Sequence, residues 1–96
     1  MQQSVLEVLD STSRGISKEV RALCGRVFPG LRPVAKRVQR QVGGDDCGLF
    51  AVAFAEAVCR GVDPGLLRFD QGKMRQHLEQ CFVSGMLTAF PLLARA

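Results

Sequence analysis

The chain predicts a small mixed α+β domain, α/β-like in its first part. Three observations carry that expectation. A strand–helix–strand order occupies roughly the first 42 residues, a nearly all-apolar helix begins at Cys47, and a second helical stripe follows Gln71. Ninety-six residues make one domain at most, or a piece of one, spanning 1–96 with a modest core.

Each element has a local cause. "SVLEVLD", ending at Asp10, is a short Val/Leu run of strand length. "STSRG" follows as a polar loop. Ser17 then has the chemistry of an N-cap, and Val20, Leu23, Cys24, Val27 and Phe28 recur at the spacing of one helical face. Pro29-Gly30 ends that helix. "RPVAKRVQRQV" carries valines every fourth residue, a spacing open to helix or strand. Pro33 at its start and Gly43-Gly44 at its end favour a strand reaching about Val42.

From Cys47 to about Arg60, apolar residues cover nearly every side, which places the helix in the middle of the domain. Gly61 suits its C-terminal cap, and "VDPG" reads as a turn. Met74, Leu78, Cys81 and Phe82 form the stripe of a last helix over about Gln71–Val83. A crossover helix between the two strands implies that they run parallel and right-handed. Asp10 and Gln41 then close their strands on one edge of the sheet, with Cys47 just beyond, where open α/β structures usually place their sites.

Composition narrows the function classes. The formal net charge is +4, concentrated in residues 1–40, with eight basic residues against Glu7, Asp10 and Glu19. That excess fits a solvated helix face and a basic strand; no DNA-binding motif accompanies it, so nucleic acid is not the expected partner. Cys24, Cys47, Cys59 and Cys81 show no CxxC spacing and are joined by one histidine, His77, so neither a metal site nor a cofactor is expected. Cys24, Cys59 and Cys81 read as packing residues of their helices. "MQQSVLEVLD" has neither a basic start nor a long apolar core, so no leader peptide is expected, and no run reaches about 20 apolar residues. Free thiols then indicate a reducing compartment, nucleus or cytoplasm, with no membrane partner.

The informative stretch is "QVGGDDCGLF", residues 41–50. A thiol in the first turn of a helix meets a partial positive charge and unpaired N–H groups, which favour a thiolate and can hold an oxyanion. Gly48 lets another chain come close, and Gly43-Gly44 permit the turn that aims the loop. Asp45 and Asp46 oppose a thiolate if they face it; one of them would instead cap the helix. On position alone, Cys47 is either a nucleophile or a small inert helix residue.

This motif resembles that of the SUMO-type (ULP/SENP) deconjugating cysteine proteases, a papain-like group. There a glutamine six residues before the cysteine supplies an oxyanion amide, as Gln41 stands to Cys47. An Asp-Ser pair ends an upstream strand and its Asp orients the catalytic histidine; Asp10-Ser11 match it. The tail from Arg68 to Pro91 is similar to members from mobile elements. The likeness runs over residues 5 to about 91. It implies a partial papain-like fold, catalytic residues Cys47, Asp10 and Gln41, and a ubiquitin-like modifier or its conjugate as partner.

One departure dominates. The family's histidine precedes its aspartate, and no histidine precedes Asp10. The resemblance therefore implies the C-terminal half of such a peptidase, inactive alone, because loss of one triad member costs several orders of magnitude in rate. His77 follows Cys47 on the last helix, in the wrong order, and reads as an edge histidine. The alternative reading is a non-catalytic interaction or scaffold remnant of the same fold.

Overall fold

The computed structural model describes residues 4–12 and 14–93. Ser13 of the expected loop lies outside the described residues, as do the first three residues of the stretch scanned for a leader. The elements run β1 (Val5–Val8), α1 (Lys18–Val27), β2 (Arg32–Ala35), α2 (Cys47–Cys59), a 3₁₀ helix (Pro64–Leu66) and α3 (Gln71–Ser84). The chain is a small α+β domain with a two-stranded parallel sheet, β1 pairing β2 from Val5↔Arg32 to Val8↔Ala35. Among the described residues, no helix is long and apolar enough to cross a membrane.

Ser17 caps α1 as its chemistry predicts, its hydroxyl accepting from the Val20 N–H at 3.1 Å. The stripe behind that cap, however, is not buried: only Cys24 is covered, while Val20, Leu23, Val27 and Phe28 stay exposed. Periodicity places apolar residues on one face; it does not supply the surface that covers them.

β2 is shorter than expected. The ladder stops at Ala35, and residues 36–41 continue without strand pairing. Side-chain amides take over there. Gln39 Nε2 donates to the Phe69 carbonyl (3.0 Å), and its Oε1 accepts the Phe69 N–H (2.6 Å). The "VDPG" turn is extended into the 3₁₀ helix, capped by Asp63, whose carboxylate accepts the Gly65 N–H at 2.9 Å. Gly65 packs close to the segment after β2, since a Cβ there would stand 2.8 Å from the Arg37 carbonyl oxygen.

α2 is the centre of the core. Leu49, Phe50, Ala53, Phe54 and Ala57 are buried, with Phe69, Met74 and Phe90 around them. Phe50 and Phe90 each meet Phe69 edge-on, at centroid distances of 6.3 and 6.5 Å, a favoured aromatic geometry. Gly61, at φ 77°, follows the Arg60 C-cap in the left-handed conformation that ends many helices. Two packing expectations fail at helix surfaces. Cys59 is exposed, and so is Phe82, because α3 buries only Met74 and Cys81. A short antiparallel bridge, Phe69↔Leu92, ties the C-terminal segment back to the core.

Candidate functional site

The thiol of Cys47 is exposed at the first position of α2. It lines a cleft of about 340 Å³ with Leu9, Asp10, Ser11, Gly48, Ala51 and Phe54. Two of the three expected site residues, Asp10 and Cys47, therefore share one cleft. Gln41 does not line it; its connection runs through Ser11.

That connection is a closed set of bonds. Gln41 is buried, its backbone N–H donates to the Ser11 carbonyl (2.8 Å), and the Ser11 hydroxyl donates to Gln41 Oε1. Gln41 Nε2 donates to the Gly43 carbonyl at 2.9 Å. A primary amide carries two hydrogens, so one N–H of Gln41 remains beyond this bond. Ser11 couples β1's exit to the glutamine, a contact that the Asp-Ser pattern in the sequence does not reveal.

β1 ends at Val8, so Asp10 stands two residues past the ladder. Its Oδ1 accepts the Thr12 hydroxyl (2.6 Å) and the Thr12 N–H (2.9 Å), a local turn that sets the carboxylate's direction. The Thr12 hydroxyl first, then the Thr12 N–H, hold the Asp10 carboxyl below its usual range; burial opposes them, and the Arg14 N–H and charge add smaller effects that lower it.

The loop before Cys47 is anchored from α3. Gln71 Oε1 accepts the Val42 N–H (2.8 Å), and its Nε2 donates to the Val42 carbonyl (2.8 Å) and to Asp46 Oδ2 (2.9 Å). Arg75 donates to Asp46 Oδ1 at 2.9 Å. Asp46 is the N-cap residue by position, but its side chain makes no capping bond. Its charge is taken up by α3 instead. By helix geometry the N–H groups of Cys47, Gly48 and Leu49 have no partner within α2, the first helical bond running from Phe50 N–H to the Asp46 carbonyl. A Cβ built on Gly48 would meet nothing within 4 Å, so no other segment packs against this glycine.

His77 is elsewhere. Its Nε2 lies 3.1 Å from the Thr88 carbonyl oxygen and its ring stands 4.7 Å from that of Phe90; it does not line the cleft. The cleft thus offers a thiol, an oriented carboxylate and main-chain donors, a set suited to attack on a carbonyl carbon once a base is supplied. Comparison with protein-family models, curated proteins and solved structures gives no match.

Proposed function

We propose that Cys47 is the nucleophile of a papain-like cysteine peptidase site of the SUMO-type, acting on the glycyl carbonyl at the C-terminus of a ubiquitin-like modifier. The carrying observation is that Asp10 and Cys47, 37 positions apart in the chain, line one cleft while Ser11 holds Gln41 beside it. In this reading the Cys47 thiolate adds to the carbonyl carbon. The oxyanion is received by the Cys47 N–H; the remaining N–H of Gln41 Nε2 joins it only when the amide turns toward the cleft, which it does not line here. The leaving amine departs with a proton from a histidine, and the resulting thioester is hydrolysed by water. Asp10 orients that histidine and stabilises its charged form.

The histidine lies outside these 96 residues, since His77 is engaged at Thr88 and Phe90. The chain alone is then a poor peptidase whose thiol site is otherwise assembled. A SUMO-type modifier ending in a glycyl vinyl sulfone tests this, with and without added imidazole as the missing base. Labelling should fall on Cys47, rise with imidazole, and vanish in Cys47→Ser. Equal labelling of the exposed Cys59 would remove the reading, because Cys59 shares the solvent but not the cleft.

A second reading, a non-catalytic interaction domain, is favoured by the uncovered stripe of α1. Partner capture that persists in Cys47→Ser, with no labelling by the vinyl sulfone, would select it.

A further inference from the structure

The two outer edges of the sheet differ in a way that selects where another strand can add. The Arg32 N–H donates to the Ser4 carbonyl (3.2 Å) and the Lys36 N–H to the Val8 carbonyl (2.9 Å). With the parallel register Val5↔Arg32 to Val8↔Ala35, this parity turns the backbone groups of Leu6 and Val8 toward β2. Those of Val5 and Glu7, and of Leu9 just past the strand, turn outward. On β2 the outward positions are Pro33 and Ala35. Pro33 has no N–H, so the outer edge of β2 is missing a ladder donor, the usual circumstance in which a strand tolerates proline. The outer edge of β1 keeps every donor and acceptor, and among the described residues no backbone group pairs with it.

Charge narrows what can lie there. Glu7 and Asp63 share a single ammonium, Lys36 Nζ, at 3.4 and 3.0 Å. The cluster keeps one net negative charge, and the Glu7 side chain is half exposed beside the free edge. Among the described residues Lys36 is the one cation paired with Glu7; Arg32 belongs to the neighbouring strand and is not in the cluster. A second copy of the chain fits poorly. Two-fold pairing of β1 with itself that uses all three outward positions sets Glu7 directly against Glu7, and like charges directly opposite destabilise a sheet.

We propose that β1 is the docking edge for an extended, proline-free polypeptide segment carrying a basic side chain opposite Glu7. Main-chain bonds to Val5 and Glu7 give the affinity, and the Glu7 carboxylate gives the register. The surface is independent of the thiol, so Cys47→Ser leaves it intact and its failure would say nothing about the cleft.

Two acetylated heptapeptides of alternating threonine and valine, one with a central lysine and one with a central glutamate, test it on the isotope-labelled chain. The lysine peptide should slow amide exchange at Val5 and Glu7 and leave Ala35 unchanged. The glutamate peptide should bind about threefold to tenfold more weakly. Glu7→Lys should reverse that order. A lysine peptide N-methylated on its pairing amides should not bind, a control that needs no variant to fold. Protection at Ala35, binding by neither peptide, an unchanged preference in a folded Glu7→Lys chain, or a dimer formed through β1 in sedimentation would each overturn the proposal.

Discussion

The chain after Cys47 and the β1–α1–β2 unit before it are built on different terms. Every buried member of the main apolar cluster, from Leu49 to Phe90, lies after Cys47; the earlier unit contributes only the partly buried Leu9 and Val38. What the earlier unit buries outright is small or polar: Ser11, Cys24 and Gln41. The cleft lies on the seam, taking its thiol from the packed part and its carboxylate from the thin one. A thin unit can still position a side chain if hydrogen bonds do what packing does elsewhere, and the Ser11–Gln41 pair is that substitute.

The sharpest test of this contrast is truncation on each side. Phe50→Ala removes a fully buried ring that touches Phe54 and Phe69 and should cost about 3–5 kcal/mol. Leu23→Ala on the exposed stripe of α1 should stay within about 0.5 kcal/mol. Urea unfolding of both variants reads the difference. Similar losses would show that α1 is covered in solution and would erase the contrast.

Gln41→Ala addresses the seam. It strands the buried Ser11 hydroxyl and frees the Gly43 carbonyl, so the expected loss is about 1–3 kcal/mol, with faster amide exchange around Ser11. A loss near zero would mean that the glutamine does not brace the cleft.

Acid titration gives the smallest effect. Because the folded Asp10 carboxyl is depressed, its contribution to stability is complete above the unfolded carboxyl's range and disappears as pH falls through the folded value. The Asp10 carboxyl resonance should titrate below that of an ordinary aspartate, and Thr12→Val should move it back up. An ordinary midpoint would remove Thr12 as its partner.

Much of the element order was legible because the signals are local: the Ser17 cap, the apolar run after Cys47, and the Pro-Gly stop at residues 29–30. The end of β2 was not. Val38 and Val42 continue a spacing open to helix or strand, which does not mark where pairing stops, and the glutamine amides that replace the ladder reach partners about 30 residues away. The exposure of Cys59 and Phe82 was hidden for a related reason, since a helical stripe names a face and leaves its cover unstated. In the cleft, residue types marked Cys47 and Asp10, but the role of Ser11 depended on a fold-level contact with Gln41.

The glutamines have a consequence for experiments on the thiol. Gln39, Gln41 and Gln71 brace residues 39 to 43 through neutral amides, groups that neither gain nor lose a proton in any ordinary buffer. Those braces are blind to acidity. At any pH used to alkylate Cys47 the glutamine-held backbone therefore keeps its posture, while the Arg75–Asp46 pair is the charged part of the loop's anchorage.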